Sequence, residues 1–126
     1  MSTVLIAEDN ATNRELLREI LETRGCTVLE ACDGQEVLDL IEHEQPDLVL
    51  MDIGMPVMDG YATVRKIRQN PRFASLPVVA VTAYAMQGDR EKILTSGFDG
   101  YLSKPVNSKS LGDELAARLR KPSSDR

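Results

Sequence analysis

The chain has 126 residues, 42% of them hydrophobic, enough for one domain with a packed core and too few for two. Its formal charge of −5 argues against nucleic acid as a partner, because phosphate-backbone binding needs clustered Lys and Arg. No apolar stretch approaches the roughly 20 residues of a bilayer span, and the start lacks the basic and apolar regions of a secretory leader, so a cytoplasmic protein without membrane attachment is expected.

Short apolar runs alternate with longer segments of helical period, the pattern of a parallel sheet covered by helices on both faces. The first predicted strand, Val4 to Ala7, ends at Glu8-Asp9 and leads into a helix with Leu16, Leu17, Ile20 and Leu21 on one face. Gly25 and Cys26 precede a second strand from Thr27 to Ala31. Cys32 follows it, and with no CxxC spacing and no nearby cluster of His, the two cysteines are expected as free thiols. Val37, Leu38 and Ile41 stripe the second helix, which ends near His43, the only histidine. A third strand from Leu48 to Met51 runs into Asp52, and Val64 and Ile67 mark the helix beyond it. The fourth strand, Val78 to Val81, ends in Thr82. The segment from Met86 to Thr95 carries Gly88, Asp89, Arg90, Glu91 and Lys92, so its helix has a thin apolar face and should be the least firmly held. Tyr101 and Leu102 form a fifth strand that ends in Ser103-Lys104 with Pro105 behind it. Leu111, Leu115 and Leu119 stripe the last helix, whose end is basic at Arg118, Arg120 and Lys121. These stripes are read as core. Gly25, Gly34, Gly60, Gly97 and Gly100 are expected in turns between elements, and residues 122–126 as a frayed tail.

In an open parallel sheet, ligands bind outside the carboxyl ends of the strands. Here those ends carry Glu8, Asp9 and Asp52, the hydroxyl of Thr82 and the ammonium of Lys104. Like charges about 4 Å apart repel by about 4 kcal/mol at an effective dielectric near 20, so a cation must offset the cluster. The donors are hard oxygens without imidazole or thiolate, which selects magnesium or manganese. Beside such an ion, the Asp52 carboxylate could attack phosphorus to give an acyl phosphate, with Lys104 and Thr82 meeting phosphoryl oxygens. Each residue also has a plainer reading: Glu8-Asp9 as a helix cap, Asp52 as a turn residue, Lys104 as a surface lysine. Their joint occurrence at successive strand ends favours the site.

The pieces VLIAEDN (Val4 to Asn10), PDLVLMDIGMPVMDG (Pro46 to Gly60), PVVAVTAYA (Pro77 to Ala85) and GYLSKP (Gly100 to Pro105) resemble the receiver domains of two-component response regulators. The resemblance implies a doubly wound, five-stranded, flavodoxin-like α/β fold of strand order 2-1-3-4-5. It implies a receiver domain over residues 1–121, with Asp52 as phosphoacceptor. Glu8, Asp9, Asp52 and the backbone carbonyl of Gly54 would hold Mg2+ (or Mn2+), and Thr82 and Lys104 would read the phosphoryl group. It further implies a cis Lys104-Pro105 peptide and a switch in which Tyr101 follows Thr82 inward, although an ordinary edge-strand aromatic is the alternative at Tyr101. Tyr84 either partly covers the acyl phosphate or packs on the fourth helix. Gly54 departs from relatives that carry a side chain there, which leaves phosphoryl lifetime open.

His43 lies away from the strand ends, so the resemblance implies an external donor, a histidine kinase or a histidine phosphotransfer protein, docking near Arg14, Leu17 and Arg18. A downstream protein would bind the face of the fourth helix, fifth strand and last helix. The stretch VTAYAMQGDREKI resembles stand-alone regulators of the cell-division class, and Met1 with a short polar tail favours a stand-alone protein over a receiver cut from a hybrid kinase. A haloacid-dehalogenase-like phosphatase would need an acid where Gly54 stands. A phosphate-independent interaction module is the other alternative, and such modules usually lose a ligand this chain keeps.

Overall fold

Runs of Val, Leu and Ile too short for helices become strands: β1 (Thr3–Ala7), β2 (Thr27–Ala31), β3 (Leu48–Asp52), β4 (Val78–Thr82) and β5 (Gly100–Ser103). The computed structural model describes residues 2–83 and 87–119. The strands are all parallel in one sheet of order β2-β1-β3-β4-β5, the order expected. β3 and β4 are buried along their whole length because helices cover both faces. The edge strand β2 instead leaves Thr27 and Glu30 exposed.

The helices are α1 (Ala11–Thr23), α2 (Gly34–Glu44), α3 (Gly60–Gln69), α4 (Gln87–Ser96) and α5 (Ser108–Leu119), with a 3-10 turn at Pro71–Phe73. Asn10, Asp33 and Asp59 cap α1, α2 and α3, each side chain accepting from the amide three residues on. Each cap satisfies a donor that the helix cannot, worth about 1 kcal/mol.

Successive strand residues point to opposite faces and build two core layers. Leu5, Val49, Met51 and Ala80 pack with Val37, Ile41, Val64, Ile67 and Ile93 on one side. Val4, Ile6, Leu50, Val79 and Val81 pack with Leu17, Leu21, Leu111 and Leu115 on the other.

Several expectations change. Leu16 is 41% exposed while Leu17 is buried, so the stripe of α1 is narrower than predicted and Leu17 faces the core, where a docking partner cannot reach it. Gly34 and Gly60 begin helices rather than turns. A Cβ at Gly34 would collide with Thr63 Oγ1, and one at Gly60 would lie 2.9 Å from the Asp52 carbonyl, so glycine there lets α3 start hard against the exit of β3. Gly100 is likewise the first residue of β5. The left-handed glycines are Gly25 and Gly97, at φ 85° and 122°. The strands run slightly further than the apolar pattern, taking in Asp52, Thr82 and Ser103 as their last residues. Tyr84, Arg120, Lys121 and the tail at 122–126 lie outside the described residues. The thin face of α4 is as expected: Ile93 is its one buried side chain among the described residues, and Leu94 is 48% exposed.

At the amino edge of the sheet sits an arrangement the sequence did not announce. Arg68 of α3 donates to the carbonyls of Gly97, Phe73 and Leu76 at 2.9, 2.9 and 2.7 Å. Its remaining nitrogen pairs with Asp99 at 2.8 Å, and the same Asp99 oxygen accepts from the Val78 amide.

Candidate functional site

Parallel strands deliver their last residues to one edge, and here those residues are acidic. Carboxylate oxygens of Glu8, Asp9 and Asp52 all lie within 4.8 Å of one another. Glu8 and Asp52 are 1% and 8% exposed, while Asp9 stands at the rim. Neither Glu8 nor Asp9 caps α1, since Asn10 does, which removes the plainer reading of that pair. Glu8 Oε2 accepts from the Asn10 amide at 3.2 Å, and Asp52 Oδ1 from the Gly54 amide at 3.2 Å.

Lys104 reaches into the cluster from the end of β5. Its Nζ lies 3.2 Å from Glu8 Oε1 and 3.3 Å from Asp52 Oδ2. The Lys104 amide donates to the Thr82 carbonyl at 2.8 Å, which ties the exits of β4 and β5 together, and the next peptide, Lys104-Pro105, is cis as expected. Thr82 is 5% exposed at the end of β4, one strand over from Asp52. Three carboxylates against one ammonium leave two formal negative charges unbalanced.

That imbalance appears in the protonation of Glu8. Burial, joined by repulsion from Asp52, pushes its carboxyl above the usual range, although the Asn10 amide and Lys104 pull the other way. Burial alone would lower the Lys104 ammonium, but attraction to Asp52 and Glu8 outweighs it and the net shift is upward. Glu8 Oε1 is buried without an aligned hydrogen bond, its nearest cation being the Lys104 ammonium. A buried, unsatisfied oxygen in an all-oxygen set with net negative charge suits a hard divalent cation. The donor set therefore fits magnesium.

Gly54 is exposed, and a Cβ there would meet nothing within 4 Å, so the approach over Asp52 is open. Tyr101 is half-buried against the α2-α3-α4 core layer, with the Arg90 guanidinium 5.5 Å from its ring centre. His43 bonds the Asp39 carbonyl at the end of α2, toward the amino edge of the sheet and away from the carboxylates at its carboxyl edge. Arg14 and Arg18, expected on a docking surface, are both paired with Glu30. Arg14 also donates to the Glu8 carbonyl at 2.8 Å, a contact between a helix face and a strand exit that no local signal announces.

A doubly wound sheet with an acidic cluster, a lysine and a hydroxyl at its carboxyl edge defines the receiver class of signalling domain. Residues 4–116 match the family model for the response regulator receiver domain, and the chain belongs to that family. It is 39% identical over 105 residues to the polar-differentiation response regulator DivK of Brucella anthropi, covering 83% of this chain and 85% of that protein. Among solved structures, the receiver domain of a sensor histidine kinase from Pseudomonas aeruginosa PAO1, with a magnesium ion coordinated in its active-site cleft, is 35% identical. It superposes with a TM-score of 0.87 over 94% of this chain and 97% of that one. A co-crystal structure of the Saccharomyces cerevisiae histidine phosphotransfer signalling protein Ypd1 with the receiver domain of its response regulator Ssk1 matches at 30% identity. Its TM-score is 0.86, covering 93% of this chain and 88% of that one. Among the described residues, no helix is long and apolar enough to cross a membrane.

Proposed function

We propose that this receiver takes a phosphoryl group from a phosphohistidine onto Asp52 and thereby changes its affinity for a protein partner. The observation that carries the reading is the meeting of Glu8, Asp9, Asp52, Lys104 and the buried Thr82 at one sheet edge of a receiver fold. An Asp52 carboxylate oxygen bonds to phosphorus as the donor's N–P bond breaks. The electron pair of that bond stays on the imidazole nitrogen, which takes a proton from water. Lys104, 3.3 Å from the Asp52 carboxylate, meets one phosphoryl oxygen as a compact charge and Thr82 donates to another. Glu8, Asp9 and Asp52, with the Gly54 carbonyl, would hold magnesium or manganese, which when bound neutralises charge on the phosphoryl oxygens. The chemistry is confined to the domain's own phosphorylation and slow self-dephosphorylation, and the open space at Gly54 admits the hydrolytic water.

The donor is a histidine kinase or a histidine phosphotransfer protein, as in the complex of Ypd1 with its receiver partner, and the exposed Leu16 gives α1 an apolar contact for it. Thr82 drawn toward the phosphoryl group makes room for Tyr101 to turn inward, which alters the face of α4, β5 and α5 that a downstream protein reads. The likeness to the polar-differentiation response regulator DivK supports the regulatory reading, in which residues 1–121 would be the acting unit, in the cytoplasm and through protein contacts.

The test is incubation with acetyl phosphate, with and without magnesium, of the wild type and Asp52→Asn, followed by intact mass measurement. A gain of about 80 Da that needs both magnesium and Asp52 is expected for one phosphoryl group. No magnesium-dependent adduct, even with an active histidine kinase supplied, would falsify the phosphoacceptor reading.

A further inference from the structure

The peptide unit between Glu8 and Asp9 has its carbonyl on Glu8, and the orientation of that plane decides where Asp9 points relative to Glu8. On the other side of Glu8, its amide donates to the Ala31 carbonyl of β2 at 3.0 Å, which fixes the entry to the turn. Past Asp9, Asn10 begins the cap of α1, which fixes the exit. The plane between the two acids lies between these anchors, and Arg14 Nη1 holds it by donating to the Glu8 carbonyl at 2.8 Å.

Arg14 is itself held. Its Nε lies 3.4 Å from Glu30 Oε1 on β2, and the other Glu30 oxygen pairs with Arg18 at 2.6 Å. Its Nη1 also lies 3.7 Å from Cys32 Sγ, and the side chain is only 19% exposed. A guanidinium that hydrogen-bonds at one Nη and stands beside a carboxylate at its Nε has little freedom to swing, because its donors form a rigid fork. Glu30 is paired across the sheet with Ile6, two residues before Glu8, so the whole bracket is built on the two strands that frame the turn.

We propose that Arg14 is a positioning residue for the cation site: through the Glu8 carbonyl it holds the Glu8-Asp9 peptide in the orientation that lets both carboxylates address one ion. The inference rests on the reading of Glu8 and Asp9 as metal ligands. It assigns Arg14 to the site from behind, where the family resemblance implied a docking surface. Groups that orient metal ligands in this way typically cost 10- to 100-fold in metal affinity when removed.

The experiment is calorimetric titration of the whole protein with Mg2+ alone, for wild type, Arg14→Met, Arg14→Lys and Arg18→Met, with thermal melts in EDTA alongside. Arg14→Met should weaken Mg2+ binding by about tenfold or more. Arg14→Lys, whose ammonium still reaches the carbonyl as a single donor, should recover part of the loss and guards against a Met variant that fails to fold. Arg18→Met, which shares Glu30 but does not reach Glu8, should stay within about twofold, and EDTA melts should place all folded variants close together. Wild-type affinity in both Arg14 variants overturns the proposal. So does an equal loss in Arg18→Met, which would mark a general charge effect. Wild-type Mg2+ affinity in Arg14→Met with slower transfer from a phosphohistidine donor returns Arg14 to docking. A wild-type protein that binds no Mg2+ sinks the metal-site reading itself, a result distinct from failure at Arg14 alone.

Discussion

The two edges of the sheet treat charge in opposite ways. At the amino edge, Arg68 reaches three backbone carbonyls and the Asp99 carboxylate, and Asp99 also accepts an amide from β4, so every group in the cluster has partners. At the carboxyl edge, three carboxylates share one ammonium and a buried oxygen of Glu8 lacks an aligned donor. A satisfied polar network specifies and rigidifies, whereas an unsatisfied one lowers stability until something binds. The amino edge is a fastening, and the carboxyl edge keeps the charge imbalance that the proposed cation and phosphoryl group would relieve.

The comparison breaks most visibly at Arg68. Arg68→Ala leaves three carbonyls and a carboxylate short of donors, and should destabilise the protein by roughly 2 kcal/mol in urea titration, mainly through the stripped carbonyls, since the Asp99 side chain is 41% exposed and its pairing is screened. A loss under about 1 kcal/mol would mean that the carbonyls find water instead and that the two edges differ less than argued.

The opposite sign is expected at Glu8. Its carboxyl titrates higher when folded than when unfolded, so the folded state binds more protons across that interval and stability falls as pH rises from the unfolded value of 4.5 through the folded one. Glu8→Gln removes this penalty and should raise the metal-free melting point by about 3 to 5 °C at pH 7, with the gain shrinking toward pH 4. The same variant should lose the stabilisation that Mg2+ gives the wild type. A lower melting point without metal would show that Lys104 already balances the cluster.

Asn10→Ala sharpens the contrast on the smallest scale. Asn10 lies beside the acids but serves the helix, so its loss should cost about 1 kcal/mol by denaturant midpoint and leave the Mg2+ stabilisation increment unchanged. A reduced increment would show that the cap also orients Asp9.

Much of this was legible in the sequence because a parallel sheet writes its pattern plainly: five short apolar runs, and polar residues with chemistry at their ends. Glu8, Asp9, Asp52, Thr82 and Lys104 could be found that way, and the resemblance supplied the strand order that periodicity cannot give. What stayed hidden depends on contacts between distant elements. Arg68 reads as one more polar residue on α3 until Gly97, Phe73 and Leu76 are brought to it. Arg14 reads as a surface arginine until the turn after β1 is folded against α1. Leu16 and Leu17 are neighbours in an apolar stripe, and the roughly 100° rotation per residue that separates core from surface is finer than a stripe of four residues can resolve.

The sparse packing of α4 sets an energy scale for signalling. Among its described side chains, Ile93 alone is buried, worth about 1.5 to 3 kcal/mol. Lys92 over the Tyr61 ring and Arg90 over Tyr101 add about 0.5 to 1 kcal/mol each at such exposed positions. A displaced helix then lies only a few kcal/mol above the resting one, in the range where a minor state is populated at about 0.1 to 10%. Coupling energies between sites commonly run about 1 to 3 kcal/mol, so the phosphorylation proposed at Asp52 would act on the same scale as the few described contacts that hold this helix.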